Sequence, residues 1–205
     1  AKDIIDLNLY ALEPNYADVL SRTSSKEYIM IKIKNARTFN DPSVPYIIDF
    51  LAPASYGGNQ STLSVTQNHV DLYEAVKKTG SIITSAAPIS DPTSGYDPNN
   101  PYLNRDPRFY NNVIYNDQTW QGRKVETFTG GRDMVAASTF YTKTSYYLKR
   151  LWPEIVKSGS NASEFVNYIY FRYAEVLLNY AEATNESKGP NIDAYNAVNL
   201  VRARA

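Results

Sequence analysis

The C-terminal stretch of the chain carries the pattern that most constrains its fold. Apolar side chains recur there at steps of three and four residues, the period of one face of an α-helix. They are Phe165, Ile169, Tyr173, Val176, Leu177, Tyr180 and Thr184. Gly189-Pro190 interrupts the pattern, and Asn191 is a good N-cap for a second helix, whose stripe runs from Ala194 to Ala205. Two amphipathic helices joined by a short turn predict an antiparallel helical hairpin.

A single hairpin of this kind leaves an apolar face uncovered. Its second stripe continues to Ala205 without a terminating glycine, proline or polar tail. No second copy of the pattern occurs within the chain. We therefore expect the partner helices to come from sequence outside this segment, so that the segment is part of a longer protein.

The first 39 residues predict short helices followed by a strand. Ile4, Ile5, Leu9 and Leu12 have roughly helical spacing, and Pro14 ends or restarts that helix. A second short helix is expected at 16–21. Residues 27–35 then change to a period of two, with isoleucines on one side and Met30 and lysines on the other. This alternation predicts a half-exposed strand.

Residues 40–160 predict a loop-rich region, because most of the eleven prolines lie there. Within it, apolar spacing favours a helix over 66–80. Five prolines and many Asp, Asn and Ser residues make 84–107 a long excursion, and long loops in compact domains are usually functional or flexible. The remaining expected elements are strands at 109–115 and 139–149 and turns at Asn116-Asp117 and Gly130-Gly131.

The composition excludes several classes of function. Twenty-one basic residues balance 21 acidic ones, so the chain has no net field that would concentrate nucleic acid or an anionic membrane surface. Because cysteine is absent, a disulfide framework, a thiolate zinc site and a cysteine nucleophile are excluded. No run approaches the roughly 18 apolar residues of a membrane-spanning helix. We expect a soluble segment that needs no cofactor.

The chain contains 18 tyrosines, an unusually large number. A tyrosine ring can stack on the apolar C–H face of a sugar while its hydroxyl bonds at the edge, although most such rings pack in protein cores. Aromatic residues in loops beside polar groups are therefore the candidates for ligand binding. They are Tyr56 with Asn59 and Gln60 in a Pro- and Gly-rich loop, Tyr96 in the long excursion, Trp120, and Trp152 before Pro153.

Catalytic and metal-binding interpretations are weaker. His69 is the sole histidine, and no elbow motif or oxyanion loop accompanies it, so we predict neither a catalytic residue nor a zinc site. Glu175 and Glu182 lie on one face of the long helix, where capping or ion pairing with Arg172 explains them better than a glycosidase pair.

Two further polar motifs have both a functional and a structural interpretation. Oxygen ligands at Asp91, Asp97 and Asn99 could hold Ca²⁺, but turn formation is favoured because the spacing does not fit an EF-hand. Arg105 and Asp106 could recognise sugar hydroxyls, but a hydrogen-bond network that fixes the proline corner is favoured. We therefore predict no metal site.

Three stretches together resemble the C-terminal half of the SusD/RagB proteins. They are PASYGGNQSTLSVTQNHVDLYEA at 53–75, YLNRDPRFYNNVIYNDQTWQG at 102–122, and YFRYAEVLLNYAEATNE with AYNAVNLVRARA at 170–205. Ser64 replaces a common proline, and the Gly57-Gly58 loop lacks a tryptophan found in some members. The resemblance implies a mainly α fold, with tetratricopeptide-like helix pairs as a scaffold and a loop-rich subdomain with short strands.

The resemblance also implies an organisation and a function. Residues 1–205 would be the C-terminal part of a SusD-like domain, divided into 1–39, a ligand-side region at 40–160, and a helical hairpin at 161–205. The whole protein would be a non-enzymatic, cell-surface lipoprotein of a Bacteroidetes outer membrane, with its lipid anchor outside this segment. It would capture glycans for a SusC-like TonB-dependent transporter. Peptide capture, and less readily glycoside hydrolysis, remain alternatives.

Overall fold

A computed structural model describes residues 1–20, 22, 24–32, 51–57, 61, 63–80, 82–134, 140–150 and 168–204. The chain forms two compact units. The terminal unit combines Ala1–Arg37 with Ser163–Ala205, and the central unit is Thr38–Ala162. The helical hairpin therefore lies in the terminal unit, and the loop-rich region lies in the central one.

The described elements are short, apart from two helices. The helices are α1 (Lys2–Asp6), α2 (Gln67–Asp71), α3 (Pro107–Asn112), α4 (Tyr173–Lys188) and α5 (Ile192–Arg204), with 3-10 turns at Tyr16–Leu20 and Ala54–Tyr56. The strands are β1 (Tyr28–Lys32), β2 (Ala75–Thr79), β3 (Ile82–Ala87), β4 (Val113–Ile114), β5 (Thr119–Trp120), β6 (Arg123–Lys124), β7 (Tyr147–Leu148) and β8 (Tyr168–Arg172). They pair as antiparallel ribbons β1–β8, β2–β3, β4–β7 and β5–β6.

The predicted helical hairpin is confirmed as α4 and α5. The turn between them contains Gly189 at φ 74, a conformation that favours glycine. Asn191 caps α5 as expected, because its side-chain oxygen accepts from the backbone N–H of Asp193 and of Ala194, at 3.1 Å each. The two helices pack through Leu177 and small alanines, which let the backbones approach closely: Ala181, Ala194 and Ala197.

The long C-terminal helix begins later than predicted. Residues 168–172 form β8 and pair with β1, so the expectation of helix at Ile169 is wrong, while Phe165 lies outside the described residues. The sequence YIYFR is rich in aromatic and β-branched residues, which favour strands. Ile169 and Tyr173 are four residues apart, and this spacing gave a helical signal that cross-strand pairing overrides. The half-exposed strand predicted at 27–35 is confirmed over Tyr28–Lys32.

Glu27 joins the parts of the terminal unit. Its side chain is fully buried. The Arg172 guanidinium at the end of β8 donates to one carboxylate oxygen, and Arg204 in α5 donates to the other at 2.8 Å. The backbone N–H of Glu13 donates to the same second oxygen at 2.7 Å. Arg172 therefore binds Glu27 and not the exposed Glu175 or Glu182, which corrects the ion-pairing alternative. Glu175 lies in the first turn of α4, as the capping alternative expects.

The helix predicted over 66–80 ends early. The helix begins after Thr66, whose side chain caps α2 by accepting from the N–H of His69, but α2 ends at Asp71. The sequence then forms the β2–β3 hairpin, and Gly80 at φ 62 lies in its turn. Valine, threonine and isoleucines on either side of this glycine favour strands. The N-terminal helix is also shorter than predicted, because α1 ends at Asp6.

The strand predicted over 109–115 is wrong in its first part. Residues 107–112 form α3, and only Val113–Ile114 is a strand. Asp106 is the N-cap and Pro107 occupies the first turn, which are standard signals for a helix start. The predicted turns at 116–117 and 130–131 are confirmed, with Asp117 at φ 66 and Gly130 at φ 86. Of the strand expected at 139–149, only Tyr147–Leu148 forms within the described residues.

Two apolar clusters form the core of the central unit. The first contains Leu51, Ala52, Tyr56, Ile114, Trp120, Val125 and Tyr147. The second contains Val65, Val70, Phe109, Val113 and Tyr146, with tyrosines packed around it. Within the described parts of the chain, no helix is long and apolar enough to cross a membrane.

Candidate ligand-binding surface

Tyrosines surround the buried ring of Phe109 in the central unit. We call this group the tyrosine cluster: Tyr73, Tyr102, Phe109, Tyr110, Tyr115 and Tyr146. The centroids of four of the tyrosine rings lie 5.0–6.0 Å from that of Phe109. Tyr146 contacts Tyr102 edge to face at 6.3 Å. All the tyrosines except Tyr146 are half-buried, so the cluster has a core and an accessible aromatic rim.

Polar groups border these rings. The Tyr110 hydroxyl donates to the backbone oxygen of Tyr102 at 2.7 Å, and the Tyr146 hydroxyl donates to Gln67 Oε1 at 2.9 Å. Asn112 Nδ2 donates to the Tyr73 hydroxyl at 2.9 Å. Apolar ring surface edged by hydroxyls and amides is the chemistry that binds a sugar, which has C–H faces and hydroxyl edges.

Arg105 links the tyrosine cluster to the long loop at 84–107. Its side chain is 1% exposed. The guanidinium donates to the backbone oxygens of Pro101, Val70 and Tyr73 at 2.7–2.8 Å. It also lies 5.3 Å from the Phe109 ring centroid and 5.4 Å from that of Tyr96. Among the described residues no carboxylate forms an ion pair with Arg105.

The structural interpretation of the Arg105-Asp106-Pro107 corner agrees with this geometry. Asp106 is 6% exposed, accepts from the N–H of Arg108 at 2.8 Å and forms an ion pair with the Arg108 side chain. The side chains of Arg105 and Asp106 are thus both hydrogen-bonded to other groups of the protein. The sugar-recognition role considered for Arg105 and Asp106 therefore has no exposed charged group to support it.

Tyr96 is the sequence-predicted residue that lies at this surface. It is half-buried, one face of its ring lies towards Arg105, and it belongs to an excursion made of turns. Asp91 accepts from Thr93 N at 2.7 Å, and Asp97 accepts from Asn99 N at 2.9 Å. Hydrogen bonds from the Thr93 backbone and from the Asn100 side chain, respectively, lower the pKa of each carboxyl.

These carboxylates therefore form turns, as the favoured interpretation of this segment predicted. Within the described ranges, no group of three or more His, Cys, Asp or Glu side chains is arranged to hold a metal ion.

Tyr56 and Trp120 lie in the core, which corrects the assumption that their rings are exposed. Tyr56 is 8% exposed and Trp120 is 1% exposed. Arg123 covers the Tyr56 ring at 3.8 Å from its centroid, and Lys149 lies 4.9 Å from the Trp120 ring. Both residues belong to the first apolar cluster, and the Tyr56 hydroxyl donates to the Trp120 backbone oxygen at 3.4 Å. A direct ligand contact by either stays a prediction.

The remaining predicted site residues, Asn59, Gln60 and Trp152, lie outside the described residues. Of the rim tyrosines, Tyr102 lies in the excursion that the sequence singled out, whereas Tyr73 and Tyr115 were not predicted. The signal that could have found them is the density of aromatic residues on both sides of the Arg105 corner.

The ring of His69 contacts an aromatic side chain. It lies edge-on to Tyr73 at 5.4 Å, with Nε2 3.3 Å from the Tyr73 hydroxyl. No serine or carboxylate bonds to the ring in the described part of the chain.

The buried tyrosines predict a loss of stability in alkali. Burial raises the pKa of Tyr56 to about 12, and it raises the pKa values of Tyr146 and Tyr147 well above 10.0. The unfolded chain ionises its tyrosines near pH 10, so this stabilisation is complete below about pH 10 and is lost as pH rises towards the folded-state values. We expect the denaturant concentration at which half of the protein is unfolded to decrease as the pH is raised from about 10 to about 12.

Tyr56→Phe provides the matched control, because it keeps the ring and removes the ionising group. The stability of the variant should decrease less steeply with pH above about 10 than that of wild type. At neutral pH its stability should stay within about 1 kcal/mol of wild type. An identical alkaline slope in both proteins would contradict the buried environment of Tyr56.

Comparison with known proteins identifies the family. The model of the SusD family matches residues 26–205. The chain belongs to the SusD family. Solved SusD-like structures match it over nearly its whole length, which confirms the predicted resemblance and the mainly helical fold with short strands. No curated protein sequence matches it.

Three of these structures illustrate the similarity. A SusD-like carbohydrate-binding protein of Bacteroides fragilis is 24% identical, with a TM-score of 0.76, and the match covers 100% of this chain and 39% of that one. Another SusD-like protein of B. fragilis is 25% identical, with a TM-score of 0.66 and coverages of 99% and 41%. The surface glycan-binding protein A of Bacteroides thetaiotaomicron, solved with laminarihexaose, is 20% identical, with a TM-score of 0.52 and coverages of 100% and 41%. The chain thus spans about two fifths of each of these three structures.

Proposed function

We propose that this protein binds glycan chains at a cell surface and acts by capture rather than by catalysis. The observation that carries the proposal is the tyrosine cluster, whose half-buried rings are held in place by Arg105 and are bordered by hydroxyls and an amide. Membership of the SusD family and the carbohydrate-binding descriptions of its structural relatives support the same function.

The physical basis of binding is contact between sugar faces and rings that are already ordered. A half-buried tyrosine loses little conformational freedom on binding, because neighbouring side chains already fix its ring. The exposed part of Tyr96 and the rim of the tyrosine cluster supply apolar area, and the Tyr73 hydroxyl with Asn112 supplies polar contacts. Specificity for one glycan then depends on loop geometry around these rings.

The place of the protein in uptake is part of the proposal. As a SusD-family member, the whole protein would be a lipoprotein of the outer membrane, held by a lipid anchor outside the present segment. It would deliver captured glycan to a SusC-like TonB-dependent transporter. We propose no nucleic-acid partner, since the charges of the chain balance.

A ligand panel tests this function. Neutral and acidic oligosaccharides and tri- to hexapeptides would be titrated calorimetrically, and sugar products would be analysed after overnight incubation. We expect binding of at least one oligosaccharide, with no turnover. Peptide binding without sugar binding would select the peptide-capturing alternative, and turnover would overturn capture without catalysis.

Tyr96→Ala tests the surface itself. If the Tyr96 ring contacts sugar, its removal should weaken binding of the best oligosaccharide by about 1–3 kcal/mol, or roughly 5- to 150-fold. Tyr195→Ala is the matched control, since Tyr195 is 56% exposed on α5 in the terminal unit. The affinity of this variant for the oligosaccharide should equal that of wild type. Equal affinities of the two variants, with unchanged thermal unfolding, would remove Tyr96 from the site.

A further inference from the structure

The β1–β8 ribbon of the terminal unit carries an exposed aromatic strip. We call it the β8 strip: Met30, Lys32, Tyr168 and Tyr170. Met30, Tyr168 and Tyr170 are 53–57% exposed, and Lys32 is also exposed. The intervening residues Ile31 and Ile169 are partly buried, so the ribbon has one covered face and one accessible face.

Strand register places these side chains together. Lys32 pairs with Tyr168 across the ladder, and Ile31 pairs with Ile169. Met30 then pairs with Phe171, so the ladder is irregular at Tyr170, which has no partner of its own. The Tyr168 and Tyr170 rings lie 4.8 Å apart at 66°. They form a corner in which a ligand can stack on one ring and meet the edge of the other.

We propose that the β8 strip is a second glycan contact, which binds one to three sugar units of a chain. This inference rests on the proposed glycan-binding function and extends it to the terminal unit. The two rings supply stacking area, while the Lys32 ammonium and the tyrosine hydroxyls supply donors for sugar oxygens. Met30 adds a polarizable apolar side that adapts to an uneven sugar face.

The size of the strip favours a sugar over a protein partner. A tyrosine contributes on the order of 200 Å² when fully accessible, so the two half-exposed rings and Met30 present roughly 300 Å². A stable protein interface needs about 800 Å² on each partner. The strip is therefore too small to hold a second copy of the chain by itself, and it is large enough for a short oligosaccharide.

The test compares Tyr168→Ala/Tyr170→Ala with wild type in affinity electrophoresis through gels that contain laminarin, amylopectin, xylan or pectin. The natural protein is used, with Tyr195→Ala/Leu200→Ala as the matched control. That pair removes two exposed apolar side chains from α5 in the same unit. We expect the strip variant to lose at least tenfold in affinity for the polysaccharide that retards wild type. The control should behave like wild type.

Three other outcomes are distinguishable. If no polysaccharide or oligosaccharide binds wild type, the proposed function itself fails. If wild type is retarded and the strip variant is retarded equally, only the β8 strip is excluded. If the strip variant changes the sedimentation coefficient or lowers the unfolding temperature by several degrees, protein covers the strip, and the inference is overturned in favour of a second copy or another part of the natural protein.

Discussion

Glu27→Ala should destabilise the terminal unit by about 3–5 kcal/mol, since removing one partner of a buried ion pair leaves uncompensated charge. Glu27 is fully buried, and Arg204, which binds it, has only 5% of its side chain exposed. Without the carboxylate, the Arg204 guanidinium keeps its burial and loses its counter-ion. Arg172 and the Glu13 N–H also lose their acceptor.

Chemical denaturation followed by circular dichroism measures this effect. Glu182→Ala is the matched control, because Glu182 is an exposed glutamate on α4, and its replacement should change stability by no more than about 0.5 kcal/mol. A double-mutant cycle between Glu27 and Arg204 should give a coupling energy of about 1 kcal/mol or more. A loss below about 1 kcal/mol for Glu27→Ala would contradict the assignment of Glu27 as the centre of the terminal unit.

The second large effect is expected from Arg105→Ala, about 3–5 kcal/mol in the stability of the central unit, because three backbone acceptors each lose a donor at a cost of about 1–3 kcal/mol. The substitution would leave the carbonyl oxygens of Val70, Tyr73 and Pro101 without the donors they have now, and it would remove the cation between Tyr96 and Phe109. Because the same guanidinium orders the tyrosine cluster, glycan binding should weaken along with stability.

Arg105→Lys separates charge from geometry. A lysine keeps the positive charge but lacks the planar fork that reaches three carbonyls and stacks between two rings. We expect Arg105→Lys to lose more than half as much stability as Arg105→Ala loses. Arg132→Ala, at an exposed arginine in the same unit, should stay within about 0.5 kcal/mol of wild type. Full recovery by lysine would contradict the role assigned to the guanidinium shape.

The sequence predicted those parts of the fold that are determined locally. The period of the α4 and α5 stripes, the Gly189 turn and the Asn191 cap are all set by residues within a few positions of one another. The β2–β3 hairpin was missed because Val70, Tyr73 and Val76 have helical spacing, whereas cross-strand pairing with 82–87 determines the structure. The contact of Glu27 with Arg204 joins residues 177 positions apart, which no local pattern predicts.

Only part of the candidate site could be predicted from the sequence, and the reason is similar. An aromatic residue in a Pro- and Gly-rich loop can face outward or fold into the core, and local sequence does not distinguish the two. Tyr56 lies in the core because Arg123 packs over its ring and the Trp120 backbone oxygen accepts from its hydroxyl. Tyr96 stays partly accessible because Arg105 covers only one side of its ring. Placement of each ring thus depends on a partner distant in sequence.

Glycan capture by the central unit is tested by the structure of the protein with the oligosaccharide that binds most tightly in the calorimetric panel. We expect a sugar ring in contact with Tyr96 or with the rim of the tyrosine cluster, and a sugar hydroxyl hydrogen-bonded to the Tyr73 hydroxyl or to Asn112. A bound oligosaccharide that touches no residue of the central unit would contradict it.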